Sequence, residues 1–190
     1  MAAPDKKALR REALAKRADV HLTRGPEASF LIAKQVLGAI PVGSVVAGYW
    51  AIGNELDLGP TMAALSGRGD TLALPVTGER GTPLVFRKWV PGQPLEKGPM
   101  GTSHPAPSAP EITPNVILLP LVSFDAKGTR IGYGAGFYDR TLKQLRQKGQ
   151  LVAWGVAFDE QELPSLPADS GDEPMDGILT DRRVIRLGRG

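Results

Sequence analysis

The stretch Asn115–Pro120, NVILLP, is apolar without the alternation of a half-exposed strand. A strand that is apolar on both faces needs a layer of structure on each side, the situation in the parallel sheet of an α/β protein. A fifteen-residue connection, 121–135, follows directly, and then a helix opens. Ligands in open α/β sheets sit beyond the carboxyl ends of strands, where such connections cluster.

The rest of the chain agrees with this assignment. Asp5 is suited to cap a helix reaching about Leu22, with Leu9, Ala13 and Val20 on one face and Lys6, Arg10 and Arg17 on a neighbouring stripe. Pro26 predicts the first turn of a second helix, which ends near Ala39 before Pro41 and Gly43. Val45–Trp50 reads as a strand, Pro60–Leu65 as a helix, and Thr71–Pro75 and Pro83–Trp89 as short strands. Pro91–Pro114 is rich in proline and glycine and reads as a long surface loop. A helix over Gly136–Lys148, a buried strand over Leu151–Phe158, an acidic, turn-rich segment over Pro164–Asp176 and a last strand over Val184–Leu187 complete the pattern. The expected fold class is therefore α/β, a layered fold with a largely parallel central sheet flanked by helices. At 190 residues, the chain is expected to form a single domain, 1–190.

Composition narrows the chemistry. The absence of cysteine excludes disulfides, thiolate nucleophiles and cysteine-based metal sites. The longest apolar run, Asn115–Val122, is strand-sized, so no membrane association is expected. Met1–Arg17 is charged from Asp5 onward and lacks the apolar stretch of a signal peptide, so a cytoplasmic location is expected. The net charge is only +3, and its excess sits at the two ends: Lys6, Lys7, Arg10, Arg11, Lys16 and Arg17, then Arg182, Arg183, Arg186 and Arg189. Such an excess suits an anionic small molecule as well as a nucleic-acid backbone. A nucleic-acid-binding accessory protein is one alternative, although only 6% of residues are aromatic and no nucleic-acid module is visible. A sugar-phosphate isomerase or CoA-transferase-like enzyme on a similar scaffold is another, but no base or nucleophile stands out for it.

The connection itself carries the most information. Gly132, Gly134 and Gly136 alternate just before the helix, and Arg130 and Arg140 flank them. Glycines at this spacing let backbone N–H groups approach an anion, and a helix N-terminus adds partial positive charge. The spacing is neither that of a Walker A loop nor the usual dinucleotide fingerprint. Asp125 and Gly128 fit the first and last positions of a type I turn. His21 and His104 have no partner by spacing and are given no role.

FDAKGTRIGYGAGFYDR, residues 124–140, resembles the signature of the 5-formyltetrahydrofolate cyclo-ligase family, also called methenyltetrahydrofolate synthetase. KKALR, YWAIGNELDL, PLVFRKW, VILLPLVSFD and MDGILTD fall in the same order, so the resemblance runs from Lys6 to about Asp181. The departure is Gly101–Pro110, GTSHPAPSAP, where the family has a shorter pattern. The resemblance implies ATP-dependent conversion of 5-formyltetrahydrofolate, with or without a polyglutamate tail, to 5,10-methenyltetrahydrofolate, with Mg2+. Phosphorylation of the formyl oxygen makes it a leaving group for attack by N10, and ADP and phosphate result. By position, the resemblance implies ATP contacts at Lys6, Lys7, Arg10, Arg130, Ile131, Gly132, Tyr133, Gly134, Ala135, Gly136, Phe137 and Tyr138. It implies folate contacts at Arg10, Trp50, Glu55, Tyr133, Gly134, Ala135, Gly136 and Phe137, catalytic roles for Arg130 and Tyr138, and metal contacts at Asp139 and Asp176. A carboxylate such as Glu55 suits the donor edge of a pterin, and magnesium often takes only one or two carboxylates beside phosphates. The partner is thus a small molecule rather than a nucleic acid or membrane, and a monomer is expected.

Overall fold

A computed structural model of the chain describes residues 5–188; of the basic C-terminal residues, Arg189 lies outside them. The strands are β1 (Val45–Ala47), β2 (Thr71–Val76), β3 (Val85–Lys88), β4 (Glu96–Lys97), β5 (Ser103–His104), β6 (Val116–Pro120), β7 (Ser123–Phe124), β8 (Arg130–Ile131), β9 (Val152–Ala157), β10 (Gly177–Thr180) and β11 (Val184–Arg186). The α-helices are α1 (Lys6–Ala39), α2 (Gly59–Arg68) and α3 (Phe137–Lys148).

Seven strands form the central sheet in the order β11-β10-β9-β6-β1-β2-β3. The five inner strands are parallel, and β3 and β11 close the edges antiparallel. Alternate residues of β6 explain its unbroken apolar run. Val116 and Leu118 pack with Ile32, Val36 and Leu65 under α1 and α2, whereas Ile117 and Leu119 pack with Phe137 and Leu142 of α3. From β1 the chain moves first to β2 on one side and then to β6 on the other, so the direction of winding reverses between β1 and β6. The crevice beyond the carboxyl ends of these two strands is where an open α/β sheet takes its ligand.

Asp5 caps α1 as expected, its carboxylate accepting from Lys7 N at 2.9 Å. The two expected helices are continuous, with one non-helical residue, Arg24 (φ −150°, ψ 20°), between them. Pro26 lacks the N–H that would bond four residues back, so the helix kinks there. Arg24 meets Glu160 and Asp181 at 2.6 Å each, which ties the kink to the end of the sheet. α2 runs past the expected end to Arg68 and stops at Gly69, whose left-handed conformation (φ 93°) closes the helix.

Other elements depart from the expectations: β1 stops at Ala47 rather than Trp50, and the connection after β6 carries the antiparallel pair β7 and β8. Gly177–Thr180 is a fully buried parallel strand beside β9, but four residues between turn formers carry almost no periodicity. The Pro91–Pro114 loop contains the short β4–β5 hairpin. The Asp125 turn is as expected: Gly128 N bonds Asp125 O at 3.0 Å, and the Asp125 carboxylate takes Lys127 N, Thr129 N and Leu166 N.

Candidate active site

The cleft at the reversal point encloses about 460 Å³. Its floor is the end of β6 and the connection after β1, one wall is the glycine loop leading into α3, and the N-terminal turns of α1 cross its edge. This end of α1 is held down by Leu9, Ala13 and Leu14 packing on Val122, Ile131 and Leu166.

The glycine loop is shaped for close backbone approach. Gly134 has φ +90° and Gly136, the cap of α3, φ +66°. Both are conformations that side chains resist. The first N–H groups of α3 have no intrahelical partner and stand at the cleft, together with the positive end of the helix dipole. Arg10 reaches the loop from α1, its Nε donating to Gly132 O at 2.7 Å. Arg140 folds back on the loop from α3 and donates to Ala135 O at 2.5 Å.

The opposite wall is apolar with one acid in it. Trp50 is 47% exposed and meets Trp89 edge-on, with centroids 5.9 Å apart. It therefore presents a flat face to the cleft instead of filling the core. Glu55 is only 3% exposed and accepts from Ile52 N at 2.8 Å. Burial pushes its carboxyl above the usual carboxylate range, opposed by the Ile52 N–H, the Tyr133 hydroxyl and Arg17. Burial also lifts the Tyr133 phenol, with the Glu55 charge adding to it, to about 12. Tyr138 is driven well up by the same two causes in that order, so its hydroxyl stays protonated at neutral pH.

Among the residues expected at the site, Lys6, Arg10, Trp50, Glu55 and the whole run Arg130–Asp139 line this one cleft. Lys7 is exposed and outside it. Asp176 also stands apart. Its Oδ2 accepts from Ala153 N at 2.7 Å and from Arg146 Nη2 at 3.3 Å, which anchors the start of β9. Asp139 is in the lining, but its carboxylate pairs with Arg130 and accepts from Glu173 N at 3.0 Å. Lys6 is held by Asp169 at 2.6 Å and Asp172 at 3.5 Å, two acids of the 164–176 segment that sequence spacing did not connect with it. Although desolvation works against the charge of Lys6, these two acids outweigh it and raise the ammonium pKa.

A model of the 5-formyltetrahydrofolate cyclo-ligase family matches residues 2–181. The chain belongs to this family. A 5-formyltetrahydrofolate cyclo-ligase of Mycolicibacterium smegmatis is 33% identical over 156 residues, covering 80% of this chain and 76% of the relative. One from Escherichia coli strain K12 is 31% identical over 151 residues, covering 76% and 82%. The NMR structure of an Aquifex aeolicus 5,10-methenyltetrahydrofolate synthetase superimposes with a TM-score of 0.78 at 27% identity, over 97% of this chain and 94% of that one. A Mycoplasma pneumoniae synthetase gives a TM-score of 0.75 over 94% and 99%, and at 23% identity it speaks for the fold alone.

Sequence reasoning placed Arg17 in the basic stripe of α1 without giving it a role, yet it is buried beneath the cleft and bonded to Tyr133. Its position seven residues after Arg10, two turns along the same face, was the available signal. Among the described residues, the three C-terminal arginines that suggested a nucleic-acid surface are engaged within the fold. Arg182 pairs with Glu160, Arg183 with Asp159 and Glu162, and Arg186 lies over Trp154. Among the described residues no helix is long and apolar enough to cross a membrane.

Proposed function

We propose that this cleft converts 5-formyltetrahydrofolate to 5,10-methenyltetrahydrofolate, with ATP as co-substrate and Mg2+ as its counter-ion. The observation that carries the reading is the meeting, in one cavity at the sheet's reversal point, of two unlike surfaces. An anion-ready loop with Arg10 and Lys6 lies on one side, and a flat aromatic wall with one buried acid on the other.

The chemistry defines what each surface must do. Ring closure joins N10 to the formyl carbon and removes the formyl oxygen, and an amide-like oxygen is a poor leaving group. ATP supplies the phosphoryl group with which that oxygen leaves as phosphate, taking up the N10 proton, while Mg2+ offsets the phosphate charge.

The protein's contribution is holding and charge neutralisation. Gly134 and Gly136 hold left-handed conformations that turn the loop into α3, and the backbone N–H groups of the loop and of the first turn of α3 fit phosphate oxygens. Arg10, already at the loop, fits a second set of phosphate oxygens, and Lys6 joins it on release from Asp169 and Asp172. Asp139 fits magnesium as a single cleft carboxylate beside phosphate oxygens, with Arg130 setting its orientation. Asp176 is assigned to anchoring β9 through Ala153 and Arg146. Glu55 accepts hydrogen bonds from the donor edge of the pterin, Trp50 supports its face, and the protonated Tyr138 hydroxyl donates at the reacting centre. Ile52, Leu84 and Phe137 help to exclude water from this side.

The test follows the absorbance of methenyltetrahydrofolate from 5-formyltetrahydrofolate with ATP and magnesium present, with ATP omitted, and in excess chelator. Formation that needs both, with ADP as co-product, is expected. Full turnover without ATP, or AMP as product, would overturn the reading.

A further inference from the structure

Arg17 lies on the same stripe of α1 as Lys6 and Arg10 but turns inward, 3% exposed, behind the cleft. Its Nε and Nη2 donate to Asn54 Oδ1 at 2.9 and 2.6 Å, and Nη1 donates to Leu121 O at 3.2 Å. Nη2 also donates to the Tyr133 hydroxyl at 2.6 Å, and the guanidinium carbon sits 5.6 Å from the centroid of the Tyr133 ring. Asn54 lies in the connection after β1, Leu121 directly after β6, and Tyr133 in the glycine loop at the far end of the connection that Leu121 opens. All three are neutral groups. A buried cation bonded only to neutral groups is costly to the fold, and its charge acts on Glu55, the residue after Asn54.

We propose that Arg17 is the positioning residue of the folate side of the cleft. It sets Tyr133 and the Asn54–Glu55 turn in register across the site and keeps the Glu55 carboxylate charged for the substrate's N–H donors. This rests on the reading of Glu55 as folate-facing given above. The groups facing Glu55 are Arg17 from α1, Tyr49 after β1, on which the Asp57 charge also acts, Tyr133 from the glycine loop and Tyr138 from α3. Arg17 is the one cation in this set, so it alone counters the desolvation of Glu55 with a full positive charge.

Two measurements separate this role from a merely structural one. The first is a carbon-13 titration of the Glu55 carboxyl in ligand-free protein, wild type against Arg17→Met, which needs no assumption about folate. The midpoint is expected to move upward in the variant, and an unmoved midpoint would overturn the electrostatic half. The second is steady-state kinetics at neutral pH. Arg17→Met is expected to raise KM for 5-formyltetrahydrofolate about tenfold or more, the scale of losing a charged hydrogen-bond network, with KM for ATP unchanged within about twofold. Equal changes in both constants would mean a general loss of structure and would overturn the proposal.

Arg17→Lys keeps the charge and loses the fork, and it serves if the Met variant does not fold. It should titrate Glu55 as wild type does and still raise the folate KM; an unchanged KM overturns the registering half. Glu55→Gln tests the underlying reading by itself. If it leaves the folate KM unchanged, the placement of folate fails, while the titration still decides whether Arg17 governs Glu55.

Discussion

Replacing Gly134 with Ala asks whether the glycine loop is a phosphate cradle or only a turn. Gly134 has φ +90°, and an added Cβ would stand 3.3 Å from Arg10 Nη2. The backbone term is about 1–2 kcal/mol for an L side chain in this region. For a chain of this length that corresponds to a fall in Tm of about 2–8 °C. Gly69 provides the control, with φ +93° and nothing within 4 Å of its would-be Cβ, at the end of α2. Gly69→Ala should lose a similar amount of stability and no activity. Gly134→Ala has a second effect, because Arg10 is already fixed by its 2.7 Å bond to Gly132 O and must give way by a few tenths of an ångström. Disturbing one preorganised donor at a transferring group costs about 2–4 kcal/mol, or about 30- to 1,000-fold in kcat/KM for ATP. The assay pairs thermal unfolding with kcat/KM for ATP in both variants. If Gly134→Ala loses stability as Gly69→Ala does but stays within about threefold of wild-type kcat/KM, the loop is a structural turn and the reasoning is refuted.

Lys6→Ala together with Arg10→Ala should raise KM for ATP and barely move Tm, since Lys6 and Asp169 are both solvent-accessible and such pairs contribute about 1 kcal/mol or less. Asp169→Asn with Asp172→Asn should lower KM for ATP by releasing Lys6; an unchanged KM would mean that Lys6 never meets phosphate. Glu55 has a raised carboxyl pKa, so the folded state holds its proton more tightly than the unfolded chain. Its contribution to stability is present at low pH and is lost as pH rises from the ordinary glutamate value through the raised one. Glu55→Gln should therefore gain Tm relative to wild type on going from pH 4 to pH 7, and a difference that does not vary with pH would contradict this. Arg130→Ala should reduce both rate and stability, the latter by about 1–3 kcal/mol, because the arginine is nearly buried between Asp139 and the Glu173 carbonyl. Loss of rate at unchanged Tm would show that these contacts do not hold the fold.

What the sequence by itself determined about this protein was set by short-range rules. The unbroken NVILLP run required layers on both faces of β6, and α1 and α3 supply them on opposite sides. Asp5 and Asp125 marked a cap and a tight turn because sterics and local hydrogen bonds decide those features within a few residues. The glycine loop was legible for the same reason, and the order of the family motifs brought Trp50 and Glu55 into view before any fold. Tertiary structure alone decided where charged side chains end up. Lys6 lies 163 residues from the aspartate that holds it, and Arg17 lies 116 residues from the tyrosine it holds. Asp176 is drawn to Ala153 and Arg146, away from the cleft. Gly177–Thr180 became a strand only because β9 offered it a ladder. Long polar side chains choose partners by proximity in space, and neither periodicity nor spacing along the chain encodes that proximity.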